Sequence, residues 1–432
     1  MFRVMLKDKH GTPFTLAKPR AYLSEKALAR RRRQNIAVDS TDLPVNPAYV
    51  KAIRRIGVDV VSQSKWNNTV LVRGTDIRQL RSVDALGCVA GIKLVWTSPD
   101  SINKPSYRLK YHKEFNRWDT ISQNRYGVTR EQVEMIGGVK MHDHGFRGRG
   151  MTVAVLDGGF MNADLIPSLK NADVAGWRDF VVPASSTVFK EMDHGTKVLS
   201  TMAVDVPYTF VGTSPEATFW LLRCEDNLTE SLAEEDFWAA AAEFADSVGV
   251  DIISSSLGFH AFDNPDDNYD YRQLDGHNAL ISRTASMLAG KGIVLVNSAG
   301  NDGMAAWKKI NVPADATDII TVGAVTPERR NAAFSSVGPT ADGRVKPDVM
   351  ALGSPTSVIT GRGTIIKDVG TSFSTPLVAG MVACLWQALP GKTAKDIIRL
   401  VLDSCDNTAA PDNIYGYGVP DFWRAYERGM KN

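Results

Sequence analysis

Cysteine is scarce in this chain of 432 residues. Its four thiols, Cys88, Cys224, Cys384 and Cys405, show no metal-ligand spacing and are too few to build a disulfide scaffold. Cys384 and Cys405 fall on neighbouring predicted helices, which leaves two readings open, a disulfide or two buried free thiols. Long apolar runs are also missing. The longest apolar helical stretch, Leu377 to Leu389, falls short of the roughly 20 residues that a bilayer crossing needs, so no membrane span is expected. Met1 leads straight into a strand-like segment with no apolar h-region behind it, so a signal peptide is not expected in this sequence. The protein is then cytoplasmic, or a signal has been removed.

The net charge of +2 is small, yet it conceals a division. Residues 1–125 carry 24 Lys and Arg against 10 Asp and Glu, a net +14, and the remainder carries 26 against 38, a net −12. A basic segment containing Arg30, Arg31, Arg32 and Arg33 could address nucleic acid. A charge run on a predicted helix is more simply a solvated face, and a basic segment joined to an acidic body can dock onto it, so no nucleic-acid partner is expected.

The length exceeds what one hydrophobic core organises, pointing to two or three domains. The first hundred residues read as strand (2–6), helices (24–34 and 47–56), hairpin (58–72), helix (76–86) and strand (89–96), with Asn67-Asn68 at the hairpin turn. That order describes a small α+β domain of split βαβ, ferredoxin-like type. From residue 97 the chain turns rich in Ser, Asn, Lys and Arg without apolar periodicity, which reads as a linker to residue 125. Beyond Tyr126, β-branched strands (152–156, 218–222, 250–255, 293–297, 319–325) alternate with helical stretches (230–248 and 276–289). Such alternation gives an α/β, doubly wound parallel sheet whose ligands bind at the carboxyl ends of the strands. Polar residues there include Asp157, Ser256 and Asn301.

Three of the polar positions suggest one chemistry. Asp157 follows a strand and precedes Gly158-Gly159; His194 opens a helical run; Ser372 lies where an apolar helix begins. Alone, each is as easily a cap or a turn residue. Together they are what a serine nucleophile requires: a base to take its proton and a carboxylate to orient the base. An α/β-hydrolase would run Ser, acid, His around G-x-S-x-G, whereas here the order is Asp, His, Ser and the second Gly position is Ser374.

In that order the sequence resembles the subtilase family over nearly all of residues 126–432. Tyr126-Gly127-Val128 with Gly145-Phe146-Arg147-Gly148 looks like the start of the mature enzyme. Val155-Leu156-Asp157-Gly158-Gly159 resembles the Asp motif, His194-Gly195-Thr196 the His motif and Gly370-Thr371-Ser372 the Ser motif. Ser256-Leu257-Gly258 resembles the substrate-binding strand and Ala299-Gly300-Asn301 the oxyanion motif.

The resemblance implies a serine endopeptidase made as a self-processing zymogen. Asp157, His194, Ser372 and Asn301 would be catalytic, and Ser255, Ser256, Leu257, Gly258, Ala299, Gly300 and Asp302 would contact extended protein or peptide substrates. It also implies a propeptide (1–100) acting as intramolecular inhibitor, a linker (101–125) holding the cleaved bond, a catalytic domain (126–432), and export to a secreted or periplasmic location. A catalytically inactive homologue that binds peptides is the alternative, against which the intact triad argues.

The sequence departs from the family pattern at three places. Gly158 stands where a Ser or Thr commonly supports the carboxylate, Lys197 where a His is usual, and Phe373 where a Met follows the nucleophile. No cofactor or catalytic metal is expected. Asp263, Asp266, Asp267, Asp270 and Asp275 share a loop that could take calcium, but they match no EF-hand spacing and read as a solvated acidic loop. His142-Asp143-His144, beside Gly145, reads as a turn into the first core strand rather than a metal pair.

Overall fold

The structure, a computed structural model, describes residues 1–98 and 111–431. The N-terminal unit runs β1 (Phe2–Leu6), α1 (Glu25–Arg33), α2 (Pro47–Arg55), β2 (Asp59–Ser64), β3 (Thr69–Arg73), α3 (Ile77–Asp84) and β4 (Val89–Leu94). Its sheet order, β2-β3-β1-β4, is antiparallel at every pairing, as in a ferredoxin-like unit. Local chemistry sets its limits: Ser24 caps α1 by accepting from Ala27 N, and Asn68, at φ 53°, turns the β2–β3 hairpin.

Two short helices, α4 (Arg130–Glu134) and α5 (Gly138–Asp143), lead into β5 (Thr152–Asp157) and β6 (Asp173–Asp179). There follow α6 (His194–Ala203), a small β7 (Asp205–Val206) and β8 (Phe210–Val211) pair, β9 (Thr218–Arg223), α7 (Ala233–Val248), β10 (Ile252–Ser255), α8 (Leu280–Met287), β11 (Val294–Ser298), β12 (Ile320–Val325) and β13 (Val349–Leu352). A hairpin of β14 (Thr356–Ile359) and β15 (Ile365–Asp368) precedes α9 (Thr371–Ala388), α10 (Ala394–Asp403) and α11 (Phe422–Lys431). The large sheet has seven parallel strands in the order β13-β12-β11-β10-β5-β9-β6. Strand order reverses at β5, so the crevice a doubly wound sheet offers to ligands opens beside its carboxyl end.

Alternation along the strands divides the core in two. Val153 and Val155 join one cluster with α6 and α9, and Ala154 and Leu156 join a second with α7 and α8. The same alternation carries Asp157 to the α6 and α9 side. Met1, Trp66, Leu71 and Val95 of the N-terminal unit belong to the second cluster, so that unit covers α7.

The arginine run is not a solvated face. The Arg32 and Arg33 side chains are exposed, but those of Arg30 and Arg31 are 0% and 1% exposed, because α1 turns one side toward the end of α7. Arg30, Arg31 and Lys65 all pair with the buried Asp246, at 2.5, 2.9 and 3.0 Å, and Arg31 also pairs with Asp42. Gly249, at φ 90°, ends α7 and permits this approach, since a Cβ there would lie 2.6 Å from Ala27 N. Closer to β1, Arg3 binds Asp236 and Glu235, while Glu243 accepts from Ser64 Oγ and from the main-chain N–H groups of Lys65 and Trp66.

Other expectations need adjusting. His142 lies inside α5, where its ring nitrogens meet Tyr126 and the Thr213 carbonyl, so only His144-Gly145 forms the turn. All four cysteines are free thiols; Cys384 and Cys405 each donate to a carbonyl within hydrogen-bonding reach. Residues 99–110 of the expected linker lie outside the described residues, while 111–125 run along the unit built on the large sheet, Asn116 donating to the Ile365 carbonyl and Ser122 N to Tyr208 O. Among the described residues no helix is long and apolar enough to cross a membrane.

Candidate active site

The site is built at the carboxyl ends of β5, β10 and β11. Asp157, the last residue of β5, is fully buried. Its Oδ1 accepts from Gly158 N at 2.8 Å, and its two oxygens face His194 Nδ1 at 2.9 and 3.0 Å. His194 is the first residue of α6, and it reaches Asp157 because Gly195 lets the helix start close against the β5 loop: a Cβ there would lie 2.5 Å from Gly159 O. Asp193 accepts from Gly361 N and Lys197 binds Asp368, so the start of α6 is tied to the β14–β15 hairpin. Lys197 thus has a structural partner of its own.

Burial works against a charged imidazole at His194. The charge and hydrogen bond of Asp157 outweigh it, Glu225 adds to them, and together they raise His194 from the ordinary 6.5 to about 9. An imidazole so held is a strong base whose protonated form has a counter-charge ready.

Ser372 is the second residue of α9 and is almost wholly buried. Its hydroxyl points to the Ser256 carbonyl oxygen at 3.5 Å, and the Phe373 ring lies 5.8 Å from that of His194. Pro376 has no N–H, so the Ser372 carbonyl lacks the donor that an uninterrupted helix would supply four residues on. The Ser256 hydroxyl fills that vacancy at 2.9 Å, tying the loop after β10 to the residue at the head of α9.

Asn301, exposed after β11, has its side-chain oxygen occupied by Thr371 N at 2.9 Å and Thr371 Oγ1 at 3.0 Å. That fixes which end of the amide is left to donate. Ser372 N–H, in the first turn of α9, belongs to the set that a helix leaves without an internal acceptor.

The remaining predicted contacts fall nearby with differing roles. Ser255 accepts from Trp238 Nε1 and is committed to the core, and Leu257 O accepts from Asn297 Nδ2. Gly258 makes no main-chain hydrogen bond among the described residues. Ala299 and Gly300 are buried at the end of β11. Asp302 is half-buried; its carboxylate accepts from Asn311 Nδ2 at 2.8 Å and lies 3.8 Å from His260 Nδ1. In the acidic loop Asp270 and Asp275 cap local turns by accepting from Arg272 N and His277 N, while Asp263 accepts from Glu230 N of the stretch before α7.

Sequence reasoning missed Glu225. It stands just past β9, at a carboxyl end of the sheet, where polar residues merit scrutiny, and Arg223-Cys224-Glu225-Asp226 was the available signal. Burial first, then the charge of Asp157, push its carboxyl up to about 7.

A buried acid bonded to an imidazole at the end of a parallel-sheet strand, with a serine at the start of the helix whose Phe373 ring lies near that imidazole, is consistent with a serine hydrolase of the Asp, His, Ser chain order. The profile of the Subtilase family matches residues 148–418, and that of the Peptidase S8 propeptide domain, Bacteroidota, matches residues 1–112. The chain therefore belongs to the subtilase family of serine peptidases, which are hydrolases, and carries a propeptide domain at its N-terminus. Among its relatives are Subtilisin NAT of Bacillus subtilis subsp. natto, 28% identical over 66% of this chain and 68% of that one, and the serine protease AprX of Bacillus subtilis (strain 168), 28% identical over 63% and 65%. The subtilisin-like protease SBT6.1 of Arabidopsis thaliana is 27% identical over 68% of this chain, which spans only 27% of that longer protein.

Proposed function

We propose that this chain is a self-processing serine endopeptidase that cleaves peptide bonds in extended protein or peptide substrates. The observation that carries the reading is the His194–Asp157 pair held at 2.9 Å beside the head of α9. In the reaction, Ser372 Oγ turns from the Ser256 carbonyl to His194 Nε2, gives up its proton there and attacks the scissile carbonyl carbon. The oxyanion forms against Asn301 Nδ2 and Ser372 N–H. His194 returns the proton to the leaving amine, and water repeats the sequence to release the acid. Asp157 holds the Nδ1–H tautomer throughout.

Substrate enters as an added strand along Ser256, Leu257 and Gly258, of which Gly258 makes no main-chain hydrogen bond among the described residues. Ala299 and Gly300 floor the pocket for the residue before the scissile bond, and Asp302 sits on its rim. Residues 1–100 act as an intramolecular inhibitor, the bond cleaved lies within 101–125, and 126–432 form the enzyme. No cofactor takes part in these steps. The mature enzyme works outside the cytoplasm, in a secreted or periplasmic setting.

A fluorophosphonate probe tests the reading together with N-terminal sequencing after incubation. Ser372 should label, and the wild type should shorten by the length of the propeptide while Ser372→Ala stays whole. A peptide-binding homologue without catalysis would leave Ser372 unlabelled, and equal clipping of both proteins would trace the cut to a contaminant.

A further inference from the structure

Gly158 follows the catalytic acid directly, yet the space its missing side chain would take is filled. A Cβ built there would lie 2.5 Å from Glu225 Oε2 and 2.6 Å from Asn227 Oδ1. The same stretch grips the turn elsewhere: Arg223 Nε and Asn227 Nδ2 both donate to the Gly158 carbonyl, at 3.0 and 3.1 Å, and Cys224 N donates to the Asp157 carbonyl at 3.0 Å. Arg223 is itself fixed by Asp179 at 3.0 Å. A rigid loop thus presents one carboxyl group to the Asp157–Gly158 turn.

We propose that Glu225 is a positioning residue of the triad, a second carboxyl that braces the Asp157–Gly158 turn and adds negative charge behind His194. The inference rests on the reading of His194 as the base. Glu225 acts through His194 and Asp157 and does not contact the reacting atoms.

The groups facing Glu225 decide its state. Asp157 from β5 disfavours its ionisation, as does Asp226 beside it, while His194 from α6 and Arg223 from β9 favour it. Glu230 and Glu234, at the entry to α7, are coupled to it and are themselves pushed up, to about 7 and about 10, by burial first and by neighbouring carboxylates. Glu225 therefore changes charge near neutrality, and it is ionised at the pH where His194, at about 9, loses its proton. An ionised Glu225 stabilises the imidazolium that forms when Ser372 gives up its proton, and a neutral one does not. Its benefit belongs to the alkaline half of the pH profile.

Glu225→Gln keeps the volume and removes the charge. The rate at which a fluorophosphonate labels Ser372 is followed against pH in the wild type and the variant after equal incubation for processing. The inflection should move toward the ordinary imidazole value, and the rate above pH 9 should fall about tenfold, the size that one pK unit of imidazolium stabilisation carries. Below pH 7 the two profiles should converge. Glu225→Asp, which keeps the charge, should recover part of the loss.

A lower rate at every pH with an unmoved inflection would reduce Glu225 to a structural residue and overturn the proposal, as would an unchanged profile. The second measurement needs no activity: the His194 imidazole is titrated by NMR in the whole Ser372→Ala chain, with and without Glu225→Gln, its signal assigned through His194→Gln. A lowered pKa upholds the coupling, and an unmoved one ends it. If the wild type fails to label at any pH, the nucleophile reading falls, while this titration still decides the coupling.

Discussion

Two places in this molecule bury carboxylates against cations, and their stoichiometry is inverted. At the interface between the N-terminal unit and α7, three cations, Arg30, Arg31 and Lys65, converge on Asp246. At the active site one imidazole, His194, has two carboxyl groups behind it, Asp157 and Glu225. Surplus cations around one acid leave it ionised at any working pH, so the cluster is a fixed fastening between domains. Surplus acids around one imidazole leave a proton with several claimants, which suits the proton transfer proposed for His194. The same ingredients give permanence in one ratio and reactivity in the other.

The comparison breaks most sharply at Asp157. Asp157→Asn retains the shape but no longer fixes the imidazole tautomer, so labelling of Ser372 should fall by about 10⁴-fold, the loss this change brings to such triads. Docking of residues 1–98 should be untouched, because no interface group contacts Asp157. Labelling at the wild-type rate would remove Asp157 from the mechanism.

Asp246 tests the other side. Asp246→Ala, made in Ser372→Ala so that the chain stays whole, takes the carboxylate partner from buried Arg30 and from Lys65 and leaves Arg31 with Asp42 alone, and breaking such a set costs about 3–5 kcal/mol. Urea unfolding and susceptibility of residues 1–98 to an added protease should both record it. Burial alone would push Asp246 up, but Lys65, Arg30 and Arg31 outweigh it and hold the carboxyl well below the usual carboxylate range. A depressed pKa gives stability that is present above the unfolded value near 3.8 and is lost as pH falls through the folded one. The fastening should therefore survive at pH 4 and fail only in stronger acid. Glu235, Asp236 and Glu243 on the same helix are pushed upward by burial, so they do not add to that acid loss. Release of residues 1–98 at pH 5 would contradict this account.

The strand pattern was legible in five of the seven strands of the large sheet. β5, β9, β10, β11 and β12 lie within two residues of the runs read from β-branched periodicity. β6 escaped notice because it is an exposed edge whose Asp173, Gly176, Arg178 and Asp179 break any apolar run, and the four-residue β13 was missed as well. At the site, the order Asp157, His194, Ser372 announced a chemistry, and the structure brings the first two into contact. Other features depend on partners remote in sequence. Arg30 and Arg31 look like surface until Asp246 is placed opposite them, 215 or more positions away. Glu225 gains its meaning only from the space above Gly158. Local periodicity reports which face is apolar, but it cannot report which distant charge will meet a polar residue.

Salt gives the finest test of the contrast. The interface holds, besides the Asp246 cluster, the pair of Arg33 with Asp251 at 3.3 Å, in which the Arg33 side chain is 57% exposed. A charge reached by solvent is screened as the Debye length shrinks from about 10 Å at 0.1 M salt to about 3 Å at 1 M, whereas a cluster from which water is excluded is screened far less. Arg33→Ala should therefore weaken docking by under about 1 kcal/mol at low salt. At 1 M sodium chloride that difference should vanish, while the Asp246→Ala defect persists nearly whole. Both are read from the denaturant midpoint of the whole chain in the Ser372→Ala background. If high salt erased the Asp246 defect as well, the cluster would be open to solvent, and the distinction between a fixed fastening and a poised site would lose its physical basis. If Arg33→Ala matched Asp246→Ala at low salt and both defects vanished at 1 M, long-range charge between the basic unit and the acidic body would dominate docking instead.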